Sequence, residues 1–147
     1  MAGRLGVLIV IVMLAAGCVA GDKRVALPPV NASPQRVVAA YIAALNAHDL
    51  RTARALLTPA HERDVESEAD SWFTNLRSIT HLHLHRPATD TIDARSMHYR
   101  HGVVVGAEFV LDQHEVESME DGPNAWSFTL VRNSPGQRWL IGSEGLG

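Results

Sequence analysis

From Val37 to Leu76 the apolar residues of this chain recur every three or four positions, and beyond it every two. No single element carries both periods. Spacing near 3.6 lines one face of a helix, and spacing of two lines one face of a strand. The chain is therefore expected to build helices first and strands afterwards, an α+β domain with the helices on one face of an antiparallel sheet.

The helical part has clear starts. Ser33-Pro34 combines a capping hydroxyl with a proline that loses nothing at a first helical position, and Val37, Val38, Tyr41, Ile42 and Leu45 follow as one stripe. Asp49 caps a second, short helix carrying Leu50, Ala53, Leu56 and Leu57. Thr58-Pro59 repeats the first signal and opens a third, with Val65, Ala69, Trp72, Phe73 and Leu76 on one face. Glu62, Asp64, Glu66, Glu68 and Asp70 around that stripe read as a solvated face, since acids are favoured near a helix start. His48-Asp49 resembles a catalytic pair on paper, but the capping role accounts for Asp49.

Strands are expected at Ile79–His85, at Met97–His101 with Val103–Asp112, at Trp126–Arg132 and at Trp139–Gly142. Residues 87–95 read as loop. Gly102 and Gly106 mark bends or bulges, and Gly122-Pro123-Asn124 and Asn133-Ser134-Pro135-Gly136 mark turns.

The N-terminus supplies an address. Arg4 precedes an uncharged run, Leu5–Ala16, shorter than the ~20 residues needed to span a bilayer and right for the apolar core of a signal peptide. Leu14-Ala15-Ala16-Gly17-Cys18 resembles the lipobox of bacterial lipoproteins, with the aliphatic residue four rather than three before the cysteine. That resemblance implies cleavage of residues 1–17 and lipidation of Cys18. Cys18 is the chain's one cysteine, so no intrachain disulfide can form. Residues 18–32, with Pro28-Pro29, are expected to be a tether holding off a domain of residues 33–147. A length of 147 residues then leaves one ordinary domain, and a net charge of −3 argues against nucleic acid.

Ser33–Pro59 (SPQRVVAAYIAALNAHDLRTARALLTP) resembles the first two helices of nuclear transport factor 2-like domains, a cone of helices over a curved antiparallel sheet. Residues 122–147 (GPNAWSFTLVRNSPGQRWLIGSEGLG) are similar to the closing hairpin of small bacterial lipoproteins carrying such a domain. The resemblance implies the fold over about Ser33 to Gly147. Distant members include ketosteroid isomerases, polyketide cyclases and dehydratases that use an Asp or Asp–His pair inside the cone. No position here matches their motifs residue by residue, so no catalytic residue is carried over.

Three candidate chemistries follow from single residues. His81, His83 and His85 alternate with Leu82 and Leu84. On a straight strand, residues two apart share a face about 6.6 Å apart, so His81 and His83 could share a zinc ion, while His85 lies about 13 Å from His81. His98, His101, His114 or Glu108 would have to complete such a site. Thr80, Leu82 and Leu84 make the opposite face the apolar one, which sends the histidines to the outer side of the sheet. Glu108 would be a general base inside a cone, but Val105, Ala107, Phe109 and Leu111 form the apolar set and put Glu108 outside with Gly106 and Asp112. Trp72, Trp126 and Trp139 could line a ligand pocket, but in a chain with few aromatics they read mainly as core.

The expectation is an exported lipoprotein held on the extracytoplasmic face of the cell membrane. It would act as a non-enzymatic envelope module that binds a small molecule or a protein, without a cofactor, and could pair with a second copy through the outer sheet face. A small isomerase- or cyclase-type enzyme and a metal-binding lipoprotein using His81 and His83 are the alternatives.

Overall fold

The structure, a computed structural model, describes residues 24–67 and 71–146. Cys18 and the expected signal peptide lie outside the described residues, as do Glu68, Ala69 and Asp70. Among the described residues, five helices and five strands follow one another as α1 (Pro34–Asn46), α2 (Leu50–Arg54), α3 (Pro59–Ser67), α4 (Trp72–Asn75), β1 (Leu76–Leu84), β2 (Ala88–Thr89), α5 (Thr91–Ser96), β3 (His101–Gln113), β4 (Gly122–Arg132) and β5 (Leu140–Gly145). The strands form one antiparallel sheet in the order β1-β3-β4-β5, with β2 also on β3. This is an α+β arrangement with an open sheet, compatible with a cone-like α+β fold.

The expected caps are in place. Ser33 Oγ accepts from Arg36 N, and Asp49 Oδ1 accepts from Thr52 N at 3.2 Å. Asp49 is also the point where the supposed tether lands. Val25 N donates to Asp49 Oδ2, Thr52 Oγ1 donates to Val25 O, and Arg138 Nε donates to Pro28 O. Pro28 and Ala32 are buried. From Val25 onward the chain thus lies on the domain rather than standing off it, and the domain starts earlier than residue 33. The third helix is also divided. Ser71, in an extended conformation, caps α4 through its Oγ, which accepts from Phe73 N, and Leu76 already belongs to β1.

β3 and β4 pair without a break from His101↔Arg132 to Leu111↔Gly122, so Gly106 is neither a bend nor a bulge. Strict alternation along β3 buries Val105, Ala107, Phe109 and Leu111 on the face that meets Val37, Val38, Tyr41, Leu45, Leu56 and Val65 from the helices. We call this the inner face. The outer face is covered at one end. Gly102 lies opposite Val131, and a Cβ at Gly102 would collide with the Asp90 carbonyl and with Ala94 of α5. Residues 87–95, expected as loop, hold this helix, with Asp90 Oδ1 accepting from Ile92 N and Asp93 N. Ala94 and Val131 are fully buried there, apart from the main core. Helices thus cover both faces rather than one.

Both sheet edges are protected by the helical layer. Asn46 Nδ2 donates to Ile79 O at 2.8 Å, and its Oδ1 accepts from Ile79 N at 2.7 Å, so a side-chain amide stands in for a missing strand beside β1. At the other edge Thr58 N donates to Ile141 O and Ile141 N donates to Leu56 O. Unpaired strand edges invite pairing with other chains, and these contacts occupy them.

Replacing Asn46 with Ala should remove both bonds to Ile79 and cost about 1–3 kcal/mol in urea unfolding, because the backbone pair is left without a partner. Asp49 gives a pH-dependent test. Its hydrogen bonds from Thr52 and from the Val25 backbone, with Arg24 nearby, hold its carboxyl below the ordinary value of 3.8. Its contribution is complete above that value and is lost as pH falls below it. The melting temperatures of wild type and Asp49→Ala should therefore differ at neutral pH, and the difference should shrink progressively as pH is lowered below 3.8.

Candidate functional site

Phase shifts in the outer strands decide which side chains reach the interior. In β5, Leu130 pairs with Ile141 and Thr129 with Ser143, so Gly142 is an extra residue. Ile141 faces inward. Plain alternation would send Ser143 inward and Glu144 outward. The extra residue reverses this, and Glu144 lies opposite the buried inner residue Phe128. A bulge displaces every side chain beyond it by one step of the pleat.

α3 brings a second group to the same place. The bonds between Thr58 and Ile141 pin the start of α3 against β5, and Thr58 Oγ1 accepts from His61 N. His61 then stands over Glu144, with Nε2 4.0 Å from Glu144 Oε2, and both side chains are about nine-tenths buried. From α1, Tyr41 Oη donates to Glu144 Oε1 at 3.3 Å. Trp72 meets Phe109 edge-on at 5.8 Å between ring centres and lies against Trp126 at 5.3 Å. Gln113 ties the neighbouring loop, donating from Nε2 to Met119 O, while its backbone N–H donates to Asp121 Oδ1.

These contacts enclose a pocket of about 80 Å³, bounded by His61, Trp72, Gln113, Met119, Trp126 and Glu144. Buried there, His61 Nε2, Glu144 Oε2 and Trp126 Nε1 have no hydrogen-bond partner. Native interiors leave few such atoms, because each costs the loss of its hydration. An imidazole, a carboxylate and an indole N–H in one small pocket offer donor and acceptor capacity to a bound molecule.

The residues singled out from sequence lie elsewhere. β1 contains its own shifts: Thr80 pairs with Val110, and the next pair is His83 with Glu108, so His81 and Leu82 share the place opposite Phe109. His81 takes a left-handed backbone conformation there, φ 54°, and its Nδ1 lies 3.1 Å from Thr80 Oγ1. This also moves Thr80 to the outer side, away from Leu82 and Leu84. The rings that meet are His83 and His85, edge to face at 5.1 Å, rather than His81 and His83. Glu108 lies beside them on the outer face, its side chain 61% exposed and its Oε1 3.1 Å from His85 Nε2. The carboxylate of the pocket is Glu144 instead. Among the described residues, no group of three or more His, Cys, Asp or Glu side chains could hold a metal ion, and no helix is long and apolar enough to cross a membrane. Trp126, expected as core, is only half-buried and forms a pocket wall.

Glu144 and His61 were not marked by the sequence pattern, and Tyr41 was marked only as part of the apolar stripe of α1. Gly142 inside the last strand was the available signal, since an isolated strand glycine often accompanies a bulge. Replacing Tyr41 with Phe should remove the bond to Glu144 and cost about 1 kcal/mol in urea unfolding without changing the fold. No protein-family model, curated protein or solved structure matches the chain.

Proposed function

We propose that the protein is a lipoprotein of the bacterial cell envelope, anchored through Cys18 on the extracytoplasmic face. In this reading its nuclear transport factor 2-like domain is a non-enzymatic module that binds a small ligand in the pocket between α3, β4 and β5. The observation that carries the ligand site is the buried trio of unpartnered polar atoms on His61, Trp126 and Glu144. The anchor is supported by the sequence around Cys18, and the domain type by the two helical and hairpin stretches and by the α+β arrangement. The exposed outer face around His83, His85 and Glu108 is the surface proposed for a second copy or an envelope protein.

A second reading, a small isomerase- or cyclase-type enzyme, draws on the same pair, since an imidazole and a carboxylate at 4.0 Å are acid–base equipment. The pocket's size favours the binding reading. Sites for drug-sized molecules measure about 300–1,000 Å³, and 80 Å³ admits a ligand of a few heavy atoms.

Two measurements check the proposal. Cys18→Ser should abolish acyl labelling and release the protein from membranes; continued lipidation would refute the anchor. Native mass spectrometry of the detergent-solubilised wild type should show a bound small mass, lost in Ser118→Trp, which fills the pocket from an exposed wall position. A wild type without such a mass, or one equally abundant in Ser118→Trp, would refute the ligand site.

A further inference from the structure

The pocket's chemistry narrows what it can hold, and the inference rests on the binding reading above. Glu144 Oε2, when ionised, only accepts hydrogen bonds. Trp126 Nε1 only donates. His61 Nε2 does either, according to its tautomer. A ligand that satisfies all three must therefore donate and accept, and must carry no negative charge against Glu144.

The His61–Glu144 gap is specific. At 4.0 Å the two atoms are too far apart for a hydrogen bond, yet close enough for one atom to bridge them. An oxygen about 2.8 Å from each would subtend about 90°, an angle at which a hydroxyl oxygen can accept one bond and donate another. With Nε2 protonated, the hydroxyl accepts from His61 and donates its one hydrogen to Glu144. A second oxygen on the same molecule can accept from the Trp126 indole. An ammonium group donates only and leaves that N–H unpaired. A carboxylate or phosphate has no hydrogen for Glu144 and is repelled by it.

Trp72, Trp126 and Met119 supply apolar surface for the C–H faces of the same molecule. A single water needs about 10–15 Å³ of a cavity, so 80 Å³ has room for a short hydroxylated chain but not for a whole sugar ring with its substituents.

We propose that the pocket binds a small uncharged polyhydroxyl compound, either a free polyol or the hydroxymethyl end of a sugar. Its hydroxyl bridges His61 Nε2 and Glu144 Oε2, and a second oxygen accepts from Trp126 Nε1.

The test uses the full-length, detergent-solubilised protein labelled with ¹⁵N, in which the chain's three tryptophans give three indole N–H resonances, Trp126 being assigned with Trp126→Phe. Glycerol probes the free polyol and methyl glucoside the sugar end; acetate and methylammonium are charged controls. A saturable shift of the Trp126 resonance with glycerol or methyl glucoside is expected, weakened about tenfold in Trp126→Phe as followed by calorimetry. Glu144→Gln, which keeps the shape and removes the charge, should weaken it at least several-fold. The tighter of the two probes identifies the source. No saturable shift with either, tighter binding of acetate or methylammonium, or unchanged affinity in both variants would overturn the proposal. If the bound mass is nevertheless present in wild type and lost in Ser118→Trp, the binding module stands and only the ligand class falls. If water alone fills the pocket, both the mass and the shifts are absent and both readings fall.

Discussion

The unbroken pairing of β3 with β4 is the constraint on which the rest of the molecule depends. Across eleven paired positions the pleat never slips, so one face of β3 is apolar from Val105 to Leu111 and the other is not. That constancy lets the flanking strands slip without losing the core. β1 carries its apolar residues at Leu76, Ile79, Leu82 and Leu84, an uneven series that no straight strand could point one way. Two register shifts absorb the unevenness, near Arg77 and at His81. β5 does the same at Gly142, and there the displaced residue is charged.

A bulge that only rearranged apolar side chains would be a packing device. The one in β5 turns a carboxylate inward, where burial is costly without a compensating partner. The helical layer supplies part of that compensation, through the Tyr41 hydroxyl on one oxygen and the His61 ring near the other. The contacts that protect the β5 edge also set α3 in place to deliver His61. Edge protection and site assembly are one arrangement, because the backbone bonds from Leu56 and Thr58 to Ile141 serve both.

Much of the fold was legible in the residues. Ser33, Asp49 and Thr58 marked helix starts because capping is a local event. The alternation of β3 pointed Glu108 outward, and the structure places it there. The misreadings have two causes. Ser71 and Asp90 also cap locally, but Ser71 begins α4 inside a continuing apolar stripe and Asp90 begins α5 inside a polar stretch, so the surrounding apolar period gives no sign of either start. Val25–Ala32 docks through Asp49, Thr52 and Arg138, which are distant in sequence and cannot be inferred from spacing.

By itself the sequence determined that helices precede the sheet, the apolar face of the central strands and the residue types available for chemistry, since these follow from local periodicity and capping. Only the tertiary structure decided which of those residues meet. His83 and His85 touch on the outside, whereas His61 and Glu144, more than eighty positions apart, share the pocket. The reason is that inward or outward orientation in an edge strand is set by its register against its neighbour. A single extra residue, Gly142, reverses that orientation without changing the composition or the apparent pattern around it.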